Sequence, residues 1–423
     1  MSKVIILGLG PSGLIAANYL KLNDIDFKII TNSENGFSRV SSNEFHFHLG
    51  QRTLFYDKDL HKFLSLIEEI TSARILGGIE DLVNISEEIS VFFNGKHHKY
   101  PLQNNLGSMP ISDRMKFYWS YFNRKPTKDT DYYSWAISNY GKWFAKNVLI
   151  PHTWKTIKED LSQINAKDYG KKVEKLKLVG NKDILAFRYQ ESIFQELYNN
   201  VKEHITLGNV DKVNYGKNKQ LWLEDEDEPY EYDILLNTIS ISKFLPLLGD
   251  MEEVVEVSYH SLSYNNMFVA VFVVPTDIIG IDKKIVYFPE KQYTFSKVNI
   301  QNHNRYSTIV CECSFRRNDN DKFQCKAYRE KYIEQIEYEL KKTGLISKDL
   351  FVSSHRDYKI VSPCYIITDK DYNISNSFIQ SFCEHNQIYN IGRFAQWKPW
   401  MRVEHSLHRI KDLFDEQKIF GDV

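Results

Sequence analysis

Four consecutive apolar residues, Val4 to Leu7, run straight into a glycine-rich turn and then into an amphipathic stretch from about Leu14 to Leu22. That order predicts a strand, a tight loop and a helix, and residues 1 to about 60 read as β-α-β followed by a loop. From about Ile111 to Val148 the spacing turns helical and aromatic. It predicts two helices with Tyr118, Trp119, Tyr121, Phe122, Trp135, Trp143 and Phe144 spread over their faces, most simply as the core of a helix bundle. Ser192 to Glu203 predicts a further helix, and short strands around Ile205, Val210 and Leu221 lead back to the first unit. Asn266 to Phe315 alternates in strand fashion through Phe268 to Phe272, Ile285 to Phe288 and Thr308 to Cys311, which predicts an antiparallel sheet. A long charged helix, about Gln324 to Lys342, closes that sheet on the outside with its Glu and Lys residues on a solvated face. The acidic run Glu224 to Glu228 reads as a hairpin tip, and His97 with His98 as an exposed turn.

The turn after Leu7 carries Gly8, Gly10 and Gly13 in the order GxGxxG, with Pro11 and Ser12 between the last two. Gly8 permits the tight turn, Gly10 lets the backbone approach a pyrophosphate, and Gly13 lets the helix pack on the strand. The helix N-terminus then points at the phosphates. A loop of this kind between a strand and a helix marks a dinucleotide site. Residues 1–80, 186–245 and 376–423 are expected to build the nucleotide-binding unit, 81–185 a mainly helical subdomain and 246–375 an antiparallel sheet that roofs the cofactor.

At 423 residues the chain suits two or three subdomains, and its net charge of −1 gives no global field for nucleic acid or an acidic membrane. No apolar run reaches transmembrane length. Five cysteines with no CxxC pair and no preceding signal peptide lead to the expectation of a reducing cytoplasm, the host's if the source is a virus. Cys311 and Cys313 would face the same side of a strand as a buried pair. No partner ligands have metal spacing there, nor around His46 and His48, so no metal is expected. GxSxG, HExxH and P-loop motifs are absent, which leaves hydrolase, zinc protease and NTPase readings without support.

Further motifs narrow the dinucleotide. The glycine loop, the segment Asn390 to Lys398 (NIGRFAQWK), Tyr100 to Leu106 (YPLQNNL) and Val286 to Val298 (VYFPEKQYTFSKV) together resemble the FAD-dependent UDP-galactopyranose mutase family. Related amine-oxidase and protoporphyrinogen-oxidase-like flavoproteins share the two ends, while the middle motifs favour the mutase branch. The resemblance runs over most of the chain, with Val148 to Ile164 and Asp233 to Ser240 in the family's order, and it is that of a divergent member. It implies an α/β fold with a discontinuous Rossmann-like FAD-binding domain, a helical subdomain and an antiparallel β-sheet subdomain. It also implies an isomerase, in which N5 of reduced FAD attacks the anomeric carbon of a nucleotide sugar, expels the diphosphate and lets the sugar reclose with the other ring size.

Matched residue by residue, the resemblance assigns FAD binding to Gly8, Gly10, Pro11, Ser12, Gly13, Asn32, Gly50, Gln51, Val213, Gly392 and Arg393. Lys297 and Lys172 stand where the family has arginines that hold the leaving diphosphate. A lysine keeps the charge and loses the bidentate fork. Tyr100, Gln103, Asn104 and Tyr287 are the sugar and nucleoside contacts, with Trp397 and Trp400 near the flavin and diphosphate. The family's Gly-Gly-His reads Gly50-Gln51-Arg52 here, and Arg52 would stabilise anionic reduced flavin. The acid expected at the end of the second strand is replaced by Thr31 or Asn32, and Thr153 and Ile157 stand where asparagine and tryptophan are usual. These departures argue against UDP-galactose itself and leave a pentose such as UDP-arabinose as an alternative. An amine oxidase or dehydrogenase and a non-catalytic flavoprotein-fold module are the competing readings. Oligomeric state is left open.

Overall fold

Val4–Leu7 and Ile234–Asn237, apolar but for the closing Asn237, are buried throughout, and Phe27–Thr31 is nearly so, as strands covered on both faces must be. They pair in parallel, Val4 lying level with Phe27 on one side and with Ile234 on the other. Ile205–Leu207 and Ile388–Asn390 extend them to a five-stranded sheet. The structure, a computed structural model, describes residues 3–33, 39–42, 45–48, 53–55, 64–65, 67–69, 82–125, 131–170, 173, 175–177, 185–188, 191–346 and 355–415. Because the chain leaves Val4–Leu7 toward one neighbour and returns much later on the other side, strand order reverses there and a crevice opens at its C-terminal end. The helix Pro11–Leu22 starts earlier than spacing alone predicts, with Pro11 pre-setting its first turn. Its Leu14, Ile15 and Leu20 pack on the sheet beside Glu191–Val201 and Glu404–Asp415.

A second sheet has seven strands in the order His355–Ile367, Ser263–Pro275, Tyr306–Arg316, Lys297–Asn302, Ile285–Tyr287, Ile89–Phe93, Lys96–Lys99. It is antiparallel except where Ile89–Phe93 joins Ile285–Tyr287 in parallel. The hairpin from 89 to 99, expected within the helical subdomain, therefore belongs to this sheet. His97 and His98 lie in its second strand and not in an exposed turn: His98 is buried, its ring bonded to Ser108 Oγ at 2.7 Å and to the Phe93 carbonyl at 3.0 Å. The helix Lys326–Lys341 covers one face through Ile333, Ile336 and Leu340, against which Cys311 and Cys313 are buried as unpaired thiols. Two of its acids are not solvated. Glu337 is buried and pairs with Arg356 at 2.7 Å, and Glu339 accepts from the Thr294 amide and hydroxyl.

Among the described residues three helical pieces replace the two predicted: Ile111–Phe122, Tyr132–Tyr140 and a continuous rod from 142 to 157 with a π-type stretch at Ala145–Leu149. Gly141 makes the close crossing, since with φ of +77° an added Cβ would stand 2.6 Å from the Ser120 carbonyl. Phe117 meets Phe144 edge-on at 5.4 Å, and both are fully buried. Tyr118, Trp119 and Phe122 are exposed, contrary to the core expected of them, because they lie on the face turned away from Phe144. Among the described residues no helix is long and apolar enough to cross a membrane.

The rod is fastened to the sheet by a buried lysine. Lys155 Nζ donates to the Phe288 carbonyl at 2.7 Å and the Glu290 carbonyl at 3.1 Å. Burial lowers its pKa from the ordinary 10.5 to about 7, with Lys158 adding to the shift and Cys313, Glu339 and Glu290 opposing it. Between those two values the unfolded chain holds a proton that the folded chain has lost, so the contribution of Lys155 to stability rises with pH across that window. The unfolding free energy of the wild type minus that of Lys155→Met should therefore increase by on the order of a few kcal/mol from about pH 7 to about pH 10, measured by urea titration. A difference that stays flat would show that Lys155 titrates alike in both states.

Candidate active site

At the C-terminal end of Val4–Leu7 the backbone is packed more closely than side chains would permit. Gly8 has φ of +102°, and a Cβ there would stand 2.7 Å from Thr238 Oγ1 and 2.8 Å from Ile239 Cγ2. A Cβ on Gly13 would overlap the Gly8 carbonyl oxygen, so only glycine seats the helix on the turn. Gly10 is the opposite case. Among the described residues no atom lies within 4 Å of the space its Cβ would fill, and no side chain caps the helix that follows. The first N–H groups of a twelve-residue helix thus face open room, the arrangement that receives a phosphate. Thr238 Oγ1 donates to the Leu7 carbonyl at 2.8 Å, and Asn237 Nδ2 to Asn390 Oδ1 at 2.7 Å, which holds the three strand ends level.

The other end of the chain closes against this loop. Gly392 has φ of +98°, and a Cβ on it would run into Ser12 Oγ, which is itself bonded to Ser406 Oγ at 2.9 Å. Arg393 follows with its Nε donating to the Met401 carbonyl at 2.7 Å. Its side chain reaches solvent, although protein surrounds it closely enough for desolvation to lower its pKa. Glu404, almost fully buried and paired with Arg402 at 2.6 Å, supplies negative charge nearby.

A cavity of about 330 Å³ lies between the seven-stranded sheet and the helical layer, a volume suited to a small-molecule site. Tyr100, Gln103, His152, Tyr287, Lys297 and Tyr365 supply most of its chemistry, and Val91, Leu102, Val148 and Leu149 its apolar wall. The Tyr100 and Tyr287 rings stand 5.5 Å apart, and His152 meets Tyr287 edge-on at 5.6 Å. Burial, with Lys155 and Lys297 close by, pushes His152 down to about 4, so its ring is neutral at pH 7. Its Nδ1 finds no hydrogen-bond partner among the described residues. Thr153 Oγ1 donates to Tyr132 Oη at 2.8 Å along another wall.

Lys297 is the cation among these lining residues, and it comes with a counter-charge. Its Nζ lies 2.7 Å from Glu312 Oε1, directly across the strands, and Asn299 Nδ2 donates to the same oxygen at 2.8 Å. Burial pulls the ammonium down, yet Glu312 and then Tyr287 more than offset it and hold the pKa above the ordinary lysine value. Cys364, raised to about 12 by burial and by Glu312, is within electrostatic reach of both Lys297 and Arg393. Tyr365 likewise responds to Arg393 on one side and to Glu312 and Tyr287 on the other. Of these two residues of the strand His355–Ile367, Tyr365 lines the cavity, and both lie within electrostatic reach of Arg393 beside Gly392.

Of the residues expected from sequence, Tyr100, Gln103, Tyr287 and Lys297 converge on the cavity, and Gly8, Gly10, Pro11, Ser12, Gly13, Gly392 and Arg393 gather at the crevice. Asn32 is exposed just past the end of Phe27–Thr31. Val213 has its side chain fully buried in the core, which leaves only its backbone for any contact. Asn104 does not line the cavity: it bonds the Lys175 carbonyl and the Lys177 amide, clasping a neighbouring segment. Trp397 is no cavity residue either. It is fully buried with φ of +54°, accepts the Tyr372 hydroxyl at its carbonyl and meets Tyr264 edge-on. Trp400 lines a separate hollow between Tyr372–His385 and Glu404–Asp415. Arg52, Lys172, Gly50 and Gln51 lie outside the described residues. Sequence reading missed Glu312, His152, Tyr365 and Ser406. For Glu312 a signal existed, an acid between two buried cysteines in an alternating strand, which must point to the opposite face.

No protein-family model matches the chain, and no curated protein does. Solved structures do. The crystal structure of reduced UDP-galactopyranose mutase is similar with a TM-score of 0.81 at 16% identity, over 100% of this chain and 98% of that one. A putrescine oxidase variant redesigned in cofactor binding is similar with a TM-score of 0.70 at 11% identity, over 98% of each chain. Cyclohexylamine oxidase from Brevibacterium oxydans IH-35A is similar with a TM-score of 0.68 at 10% identity, over 99% of each. The chain has the fold that these proteins share.

The pair formed by Lys297 and Glu312 sets a stability test for this site. Lys297→Met or Glu312→Gln alone strands a buried charge or its partner and should cost about 3 to 5 kcal/mol in denaturant unfolding, whereas the double variant should cost much less than the sum. Additive losses would mean that the two groups do not depend on each other.

Proposed function

We propose that this chain is an FAD-dependent enzyme, and that it is a nucleotide-sugar mutase interconverting pyranose and furanose forms. The observation that carries the reading is the convergence of Tyr100, Gln103, Tyr287 and Lys297, from two separate sequence motifs, on one cavity whose Tyr365 lies within electrostatic reach of Arg393. The crevice fits the cofactor. Gly10 leaves backbone room for a pyrophosphate, the uncapped helix Pro11–Leu22 faces it, and Gly392 with Arg393 closes the other side. When bound and reduced, FAD would supply a nucleophilic nitrogen able to displace a diphosphate from an anomeric carbon.

The protein's own groups then divide the remaining work. Lys297 offers its ammonium to the negative charge that gathers on a departing diphosphate, where such contacts act most strongly in a site closed to water. Gln103 donates and accepts at sugar hydroxyls, and the flat faces of Tyr100 and Tyr287 bracket a ring. His152, neutral at pH 7, supplies a hydrogen bond from its buried Nδ1 without adding charge.

A second reading, an FAD-dependent oxidase acting on an amine or a carbon-carbon single bond, draws on one observation. Lys297 is already neutralised by Glu312, so the described lining carries less positive charge than a diphosphate calls for. The two readings separate in one experiment: load the protein with FAD, reduce it with dithionite, offer UDP-, dTDP- and GDP-sugars, and analyse products. A mutase requires reduced flavin, consumes no stoichiometric reductant and returns an isomer. Turnover that matches oxygen uptake one for one would overturn it in favour of the oxidase, and a protein that neither carries nor binds FAD would remove both. With the right substrate, Gln103→Ala should raise KM roughly tenfold while FAD content stays unchanged.

A further inference from the structure

Trp400 lines a hollow of about 290 Å³ between the helices Tyr372–His385 and Glu404–Asp415, which shares no lining residue with the cavity of Lys297. Its wall is rich in unpaired donors. Gln396 is only 5% exposed, and its Nε2 finds no hydrogen-bond partner among the described residues, although its Oε1 accepts from Lys398 Nζ at 3.3 Å. Arg409 holds Glu384 through Nη2, while its buried Nε finds no hydrogen-bond partner among the described residues. His405 Nδ1 accepts the Arg402 amide at 2.9 Å, so in the neutral ring Nε2 carries the proton and is a further donor. Gln380, on the facing helix, is the contrast: it donates to Asn376 Oδ1 and the Ala395 carbonyl, and its own oxygen accepts from Asn390. A buried donor without a partner is costly, and an incoming acceptor removes that cost.

Charge points the same way. Burial and then the nearby Arg409 lower the pKa of Lys398, so two cations stand within electrostatic reach of each other. Glu384 opposes that shift but is already engaged by Arg409, and Asp412, the other acid of the lining, is exposed and screened by water. A flat ring completes the set. Trp400 meets His405 edge-on at 6.0 Å, and the Lys398 ammonium lies 5.9 Å from the centre of its ring.

We propose that this hollow binds the phosphate group of a small phosphomonoester, held by Gln396 Nε2, Arg409 Nε and the Lys398 ammonium, with Trp400 against the organic part. A guanidinium and an ammonium together suit a phosphate dianion. The effect reaches the crevice. The Gln396 amide donates to the Gly392 carbonyl and the Lys398 amide to the Arg393 carbonyl, each at 2.9 Å, so the residues that hold the phosphate are tied to the turn that closes on Ser12. Occupancy of the hollow steadies that turn, and FAD and the phosphomonoester strengthen each other's binding by the same factor. This coupling, unlike the site itself, rests on the cofactor reading of the crevice.

Isothermal titration calorimetry of the full chain with inorganic phosphate, glucose 6-phosphate and phenyl phosphate tests the site without flavin or turnover. Phenyl phosphate should bind with a dissociation constant below about 1 mM and roughly tenfold tighter than inorganic phosphate. Lys398→Gln and Arg409→Gln should each weaken it by roughly tenfold or more, while Gln103→Ala in the other cavity leaves it unchanged. Lys398 is partly exposed, so its variant should keep the wild-type melting temperature by circular dichroism. No heat from any of the three at about 5 mM, or heat that survives both variants, would overturn the site. Equal affinities for phenyl phosphate and inorganic phosphate would overturn the part given to Trp400. Flavin fluorescence quenching with and without saturating phenyl phosphate then reads the coupling, with FAD expected to bind roughly fivefold tighter. An unchanged FAD affinity would overturn the coupling alone, and a chain that binds no FAD would remove the cofactor reading and the coupling together while the phosphate site stands.

Discussion

Backbone touching backbone at the end of one strand is the constraint on which the molecule depends. The Gly8 carbonyl leaves no room for a side chain on Gly13, and Ser12 leaves none for one on Gly392. Through the first contact the helix Pro11–Leu22 is seated on the strand Val4–Leu7; through the second the two distant ends of the sequence are brought to a single point. An added methyl group at either place would push the helix or the returning loop outward, and the uncapped amides beside Gly10 would lose the aim they have.

The seven-stranded sheet answers to a different rule. Its strands are long and alternating, so one face is given to the helix Lys326–Lys341 and the thiols of Cys311 and Cys313, and the other to the cavity. Glu312 stands between those cysteines in sequence and therefore opposite them in space. An ionised carboxylate on an apolar strand is tolerable only beside a cation, and Lys297 lies across the ladder to provide it. Cavity chemistry and sheet stability are thus served by the same two side chains, which limits how far either can change alone.

How much of this was legible depends on how local the cause is. Gly8, Gly10 and Gly13 were readable because turn, close approach and helix seat are set within six residues. The alternation of Ser263–Pro275 and Tyr306–Arg316 disclosed strands for the same reason. Partnerships were not readable in that way: nothing within Ile89–Phe93 states that it will lie parallel to Ile285–Tyr287, and His98 follows that strand into the sheet. Ring-rich helices mislead for a related reason, since Phe117 and Trp119 are equally aromatic and only the position of Phe144 decides which is covered. Trp397 sat in a motif matched for ligand contact, yet its ring is fully buried in the core beside Tyr264.

The five parallel strands come from stretches as far apart as 4–7 and 388–390. During synthesis the first strand, helix and second strand can assemble early, but the edge later covered by Ile234–Asn237 stays bare until that segment emerges, and the next edge waits for Ile388–Asn390. An apolar strand with an unpaired edge is a template for the wrong neighbour. Such long-range pairing also makes folding slow, because loop closure is paid before contacts repay it. A ribosome-bound chain of this protein therefore passes most of its translation with one edge of the parallel sheet open, and that edge is closed only once Ile388–Asn390 has emerged.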